Sequence, residues 1–269
     1  MKQMKALFTI AVTTLLILSC KAQAQPIATA TTKPTSTLRP TQTATPFPSW
    51  VTDFAEPILK AIENQTPRFQ DDFSNTNQQW SVGKQSKDFG PATPLPTPDL
   101  GTHVFGETGY VDGEYFTTAD PNSCVGGTSP KVGAYQDFVA EFDARFASGM
   151  AGDWELLFRN NHGVYALDMN INSTFITFQK CISGTCEDVA RYSDNQVKRG
   201  KEWNHMILIA RSARVAVYAN GIPLLYAEDK HFSEEFKMGT FSLSVCSVGD
   251  VPMEIRWDNL KLWDISNLP

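Results

Sequence analysis

Apolar and polar residues alternate strictly in the middle of the chain. From Phe138 to Phe146 aromatic and alanine residues take every second position, and Glu141, Asp143 and Arg145 stand between them. A period of two places these sets on opposite faces of a strand. The pattern predicts a half-buried strand of an antiparallel sheet, with Phe142 in the core and Glu141 and Asp143 on the outer face.

Short apolar runs of the same kind recur from residue 69 onward. Those that we interpret as strands cover residues 154–158, 164–172, 175–181, 188–192, 203–211, 215–219, 241–246 and 253–263. Residues 159–163 and the Asn220-Gly221 pair are typical of hairpin turns. So many closely spaced strands predict an all-β, two-sheet antiparallel, jelly-roll-like sandwich over residues 67–269.

One helix is predicted before the sandwich. Phe54, Ile58 and Ile62 recur every four positions, which is the spacing of one face of a helix. We expect residues 50–66 to form a short helical collar that packs against the domain that follows.

The first twenty residues carry a targeting signal. Lys2 and Lys5 precede an apolar stretch that leads through Ser19 into Cys20. The stretch is too short to span a bilayer. The segment resembles a bacterial lipoprotein signal, which implies that residues 1–19 are removed, that Cys20 carries a lipid, and that the protein faces the extracytoplasmic side of the cell envelope. An ordinary signal peptide is the alternative.

Residues 20–49 predict a disordered tether. After Cys20 they contain eight Thr, five Pro and no acidic residue, so they have little apolar surface to bury.

The charge of the chain limits the class of partner. The formal net charge is -6 without a run of basic residues, which argues against nucleic acid. We expect a monomer that contacts the membrane only through its lipid.

Four further cysteines allow three disulfide pairings. Cys181 and Cys186 flank a Ser-Gly turn, so we expect a disulfide between them across a hairpin. This pairing leaves Cys124 to bond with Cys246. A Cys₄ zinc site is the alternative, although the spacing lacks a CxxC knuckle.

The order of these segments resembles the concanavalin A-like lectin/glucanase sandwich, in particular laminin G-like domains of secreted bacterial proteins. Domains described as 3-keto-disaccharide hydrolases are similar over the same order of strands. The resemblance covers roughly residues 69–265 and implies a lectin-like fold, whereas its function remains open because one sandwich serves many activities. The segments that carry it are residues 71–74 with Trp80, 110–115, 138–145, 156–159, 217–221 and 257–263.

The resemblance also identifies a missing catalytic motif. Related glucanases carry Glu-x-Asp-x-Glu on one strand, whereas this chain has Glu141, Asp143 and then Arg145. A guanidinium cannot donate a proton near neutral pH, so we predict no catalytic residue here.

No cofactor is predicted, and calcium is the one metal left open. The histidines (His103, His162, His205 and His231) lack the spacing of a metal site. Laminin G-like domains often bind calcium through loop oxygens, and Asp112, Asp120, Asn160 and Asn161 are eligible. Such residues also serve turns.

A carbohydrate-binding face is the favoured functional prediction. Asp168, Asn170 and Asn172 alternate along one strand, and amide and carboxyl groups suit sugar hydroxyls. We predict a ligand site formed by this row, by the neighbouring turn and by an aromatic platform, with Arg159, Asn160, Asp168, Asn170, Trp154 and Tyr165 as its residues. The alternatives are buried aromatics beside a solvated row, a hydrolase of the 3-keto-disaccharide type, and a structural or adhesion protein.

Overall fold

The computed structural model describes residues 47–85, 105–171, 175–183, 185–193 and 196–269. The predicted signal peptide, the lipidated Cys20 and residues 20–46 of the predicted tether lie outside these ranges, as do His103 and Asn172. The predictions made for them stay predictions.

The described chain folds into two antiparallel sheets, as the alternation predicts. In chain order the strands are β1 (Phe69–Asp71), β2 (Gly83–Gln85), β3 (Gly106–Val111), β4 (Glu114–Ala119), β5 (Cys124–Gly127), β6 (Phe138–Ser148), β7 (Gly152–Asn160), β8 (Gly163–Asn170), β9 (Phe175–Ile182), β10 (Thr185–Ser193), β11 (Asn204–Arg211), β12 (Arg214–Ala219), β13 (Ile222–Glu228), β14 (Thr240–Ser247) and β15 (Met253–Asp264).

One sheet has nine strands and the other has six. The nine-stranded sheet has the order β13-β12-β11-β6-β15-β4-β3-β2, and β1 pairs with β15; the six-stranded sheet has the order β10-β9-β8-β7-β14-β5. The Asn220-Gly221 pair forms the β12–β13 hairpin, with φ of 54° and 80°. Two successive left-handed residues match the twist of a hairpin. The prediction of a two-sheet sandwich is confirmed.

Aromatic residues from both sheets meet in the core. Phe142 of β6 is 1% exposed, and its ring lies 5.7 Å from that of Trp154 and 6.0 Å from that of Trp257. Glu141 bonds Lys261 on the opposite, outer face of β6. The predicted register of this strand is therefore confirmed.

The helical segment covers part of the outer face of the nine-stranded sheet. Val51–Ala55 forms a turn of π-helix that continues into α1 (Glu56–Ile62). Its buried apolar residues, Phe54, Ile58 and Ile62, join a second cluster on the sheet that includes Trp263. Among the described residues, no helix has both the length and the apolar character that a membrane span requires.

Both disulfides form within the six-stranded sheet, and both predicted pairings are confirmed. Cys124 of β5 is bonded to Cys246 of β14, and Cys181 of β9 is bonded to Cys186 of β10. In each case the two cysteines are direct cross-strand partners. The disulfides therefore tie the two outermost strands of this sheet to their neighbours.

A buried ion pair lies between the sheets near the end of β13. Lys180 and Asp229 are 4% and 5% exposed, and their Nζ and Oδ2 atoms are 2.9 Å apart. The Tyr165 hydroxyl donates to the same carboxylate, and Lys180 Nζ also donates to the His231 carbonyl at 2.6 Å. The charges thus lie away from water but are well supplied with partners.

Candidate functional site

The outer face of the six-stranded sheet carries a row of polar side chains across its strands. The β7–β8 register pairs Asp153 with Asn170 and Glu155 with Asp168, and the β8–β9 register pairs Asp168 with Thr177. Directly paired residues present their side chains on the same face at close range. Three strands therefore bring carboxyl, amide and hydroxyl groups together.

This row lies in a groove of about 430 Å³, a volume within the range of small-molecule sites. We call it the acidic groove. It is lined by Asp153, Asp168, Asn170, Phe175, Thr177, Gln179 and Arg191. On β7 to β9 these residues occupy the polar positions of the alternation, while their neighbours Trp154, Leu167 and Phe178 fill the core.

The outermost strand, β10, forms one wall of the acidic groove. Arg191 Nη2 lies 2.6 Å from Asp188 Oδ2, and Gln179 Nε2 donates to Asp188 Oδ1 at 3.0 Å. The Arg191 guanidinium also lies 5.2 Å from the centre of the half-buried Phe175 ring. The one arginine among the lining residues is therefore already paired with an acid of its own strand.

Burial raises the pKa of two acids of the groove, and repulsion between acids adds to the effect at Asp168. Burial, followed by repulsion from Asp153 and Glu155, raises the pKa of Asp168 to about 8, against the lowering effect of a hydrogen bond with Thr177. Burial also raises the pKa of Asp153, although a hydrogen bond with Asn170 opposes the change. At neutral pH Asp168 therefore carries a proton and is able to donate it.

Asp168→Asn should flatten the pH dependence of stability. The folded chain keeps the Asp168 proton up to about pH 8, whereas an unfolded aspartate loses it near 3.8. Between these values the folded state binds more protons, so wild-type stability falls as the pH rises. Asparagine mimics the protonated carboxyl and cannot ionise. We expect its melting temperature to fall less than that of the wild type between about pH 5 and about pH 9.

Glu107→Gln is the matched control, because Glu107 is exposed on β3 of the other sheet. Its melting curve should follow the wild type across the same pH range. Parallel curves for the wild type and Asp168→Asn would contradict the raised pKa of Asp168.

The predicted aromatic platform is wrong. Trp154 and Tyr165 are 0% and 1% exposed, and both lie in the core between the sheets. The Trp154 indole donates to Met169 Sδ at 3.1 Å, and the Tyr165 hydroxyl donates to Asp229. Rings closed off in this way cannot stack on a sugar, so neither belongs to the groove.

The prediction that Arg159 binds a ligand is also wrong. Arg159 is 1% exposed, and its guanidinium donates to the backbone carbonyls of Gln136 at 2.8 Å and Ser212 at 2.7 Å, beside Asp137. It holds two loops, the one before β6 and the β11–β12 turn, against the end of β7. Asn160 ends the same strand, roughly 20 Å along β7 from Asp153 at ordinary strand rise. The structure therefore brings together Asp168 and Asn170 but neither Arg159 nor Asn160.

The residues considered for calcium lie in separate turns. Asp112 lies between β3 and β4, Asp120 follows β4, and Asn160 and Asn161 lie at the β7–β8 turn. Within the described ranges, no group of three His, Cys, Asp or Glu side chains has the arrangement of a metal site.

Sequence reasoning missed five residues that line the groove, Asp153, Phe175, Thr177, Gln179 and Arg191, and the adjacent Glu155. For Glu155 and the residues on β9 a signal was present, because each occupies an outward position of a predicted strand, whereas Asp153 precedes the strand predicted over residues 154–158. Which strands lie side by side was the missing information, and the register supplies it.

Comparison with solved structures supports the fold. A protein of unknown function with a galectin-like fold from Bacillus subtilis has a TM-score of 0.55 and 11% identity over 74% of this chain and 96% of that one. The carbohydrate binding module CBM66 from Bacillus subtilis has a TM-score of 0.50 and 19% identity over 59% of this chain and 92% of that one. An endo-β-galactosidase from Clostridium perfringens that releases GlcNAcα1-4Gal has a TM-score of 0.50 and 9% identity over 74% of this chain and 62% of that one. At these identities the likeness concerns the fold.

Comparison of sequences identifies the family. No curated protein matches the chain significantly. The family model described as the 3-keto-alpha-glucoside-1,2-lyase-like domain matches residues 71–262, which is more than half of the chain and spans both sheets. The chain therefore belongs to the 3-keto-alpha-glucoside-1,2-lyase-like domain family.

Proposed function

We propose that the acidic groove binds a carbohydrate. The observation that carries the proposal is the cross-strand row of carboxyl, amide and hydroxyl groups in a groove of about 430 Å³ on one sheet face. Sugar hydroxyls need directional partners of these kinds. The half-buried Phe175 adds an apolar surface at the wall, which suits the C–H face of a sugar ring. Membership of a family named for glucosides agrees with this ligand class.

A glycan-binding screen of the purified protein tests the proposal. Asn170→Ala and Gln179→Ala should each lower the affinity for a selected glycan about fivefold, since each removes hydrogen bonds to the ligand. Asn77→Ala is the control, because it removes an exposed amide from the loop after β1 of the other sheet. Equal affinity for all four proteins would exclude the groove, and absence of any glycan ligand would exclude carbohydrate binding.

Cleavage is the second candidate function, and the protonated Asp168 favours it. In a 1,2-elimination from a 3-keto glycoside, a base removes the proton on C2 while the bond from C1 to the glycosidic oxygen breaks and that oxygen takes a proton. Asp168 would supply this proton, and the carboxylate of Glu155, its direct partner on β7, would accept the one from C2.

Turnover separates the two candidates. The purified protein is incubated with a 3-keto α-glucoside, and release of the leaving sugar is followed over time. Release by the wild type that disappears in Asp168→Asn would assign cleavage to this site, whereas binding without release would leave a recognition module. The lipid anchor at Cys20 and the extracytoplasmic location stay predictions from the sequence.

A further inference from the structure

Carboxyl groups outnumber cationic groups along the lining of the acidic groove. Asp153 and Asp168 line it, and Glu155 lies beside Asp168 on the same face. Neither Asp153 nor Asp168 takes part in a salt bridge with any described residue. Lys180, the nearest lysine on β9, points into the core to Asp229.

From this arrangement we infer that the acidic groove accepts a sugar bearing a positively charged amino group. The inference rests on the proposed carbohydrate function and narrows its ligand class. A protonated amine supplies three N–H donors and one positive charge, which are what adjacent carboxyl groups lack. The amides of Asn170 and Gln179 remain for the sugar hydroxyls.

The charged groups around Asp168 determine how a cationic ligand would change the protonation of this residue. Asp153 and Glu155 face it from β7, and Asp188 and Arg191 face it from β10, where they pair with each other. The three acids other than Asp168 raise its pKa by repulsion. A bound cation would reverse this effect and release the Asp168 proton, so ligand binding and proton release would be linked.

A buried hydroxyl without a protein partner lies on the same face, next to Glu155. Ser244 of β14 is paired directly with Glu155 in the β14–β7 register, and it is 0% exposed. Its Oγ atom has no hydrogen-bond partner among the described residues. Most buried hydroxyls are hydrogen-bonded, so Ser244 adds a polar group beside the acids that is able to bond a ligand or a water.

The chemistry of the groove also separates an amine from other ligands. A uronate or sulfated sugar would add negative charge to the acids and be repelled. A metal ion would need at least three converging ligand groups, and the described residues offer no such set. An amino sugar satisfies both the charge and the polar lining.

A matched pair of probes tests the inference: a trisaccharide of β-1,4-linked glucosamine and its fully N-acetylated counterpart, which share one skeleton and differ in charge. Calorimetric titration at about pH 5.5, where such amines are protonated, should give about tenfold tighter binding of the free amine. Asp168→Asn should abolish this preference, so that the two probes bind the variant with equal affinity. Binding of the free amine should also release protons, seen as a dependence of the heat on the buffer.

Glu107→Gln makes the same carboxyl-to-amide change on an exposed position of the other sheet and should retain the full preference. An equal loss in this control would reduce the effect to net charge and overturn the inference. Equal or tighter binding of the N-acetylated probe would also overturn it but would leave carbohydrate binding in place. If neither probe binds, the amino-sugar inference fails, and the glycan screen alone decides the broader proposal.

Discussion

Asp229→Ala should lower the free energy of unfolding by about 3–5 kcal/mol, because it leaves the Lys180 ammonium buried without its counter-ion. The same change removes the acceptor of the Tyr165 hydroxyl and of the His231 N–H, which donates to Asp229 Oδ1 at 2.8 Å. Urea denaturation at neutral pH measures the effect.

The double variant Lys180→Met with Asp229→Leu separates the pair from its surroundings. Apolar side chains of similar size remove both charges and their desolvation cost, so much of the lost stability should return. If Asp229→Ala alone costs less than about 1 kcal/mol, Lys180 reaches water in the variant and the pair is not sealed in the core.

Phe142→Ala should also lower the free energy of unfolding by about 3–5 kcal/mol, since it opens a cavity between the two sheets. The lost ring packs against Trp154 and Trp257, whose own rings lie 5.8 Å apart. Such large rings cannot close the space without leaving their positions. Chemical denaturation of the two proteins measures the difference.

The neighbouring position supplies the control. Glu141 faces outward and pairs with Lys261 at 2.6 Å, with both side chains partly exposed. Glu141→Ala should therefore change stability by no more than about 1 kcal/mol. Asp143 is a poorer control than its outward direction suggests, because it bonds both His205 and Asn259. A larger loss from Glu141→Ala than from Phe142→Ala would reverse the assigned faces of β6.

Alternation along each strand was sufficient to predict the sandwich, whereas the site needed information from several strands. Asp168 and Asn170 were placed correctly on an outer face. Tyr165 was not, although its odd position on the same strand already put it on the opposite face from Asp168. A stricter use of the period of two would have removed Tyr165 from the predicted site.

The role of Arg159 could not be predicted from such a pattern. Its partners, Gln136, Asp137 and Ser212, stand 22 to 53 positions away in the chain. Only the fold brings those loops together around one guanidinium. The pairing of Glu155 with Asp168 across β7 and β8 depends in the same way on register, which strand patterns alone do not specify.

The disulfide between β5 and β14 has a consequence for solubility. β5 has only four residues, and its detachment would expose the backbone edge of β14, an eight-residue strand rich in apolar residues. An open edge of that kind recruits strands from other molecules and starts aggregation. The bond from Cys124 to Cys246 keeps the short strand in place as a cover. Oxidation of this pair therefore protects the protein from self-association as well as from unfolding.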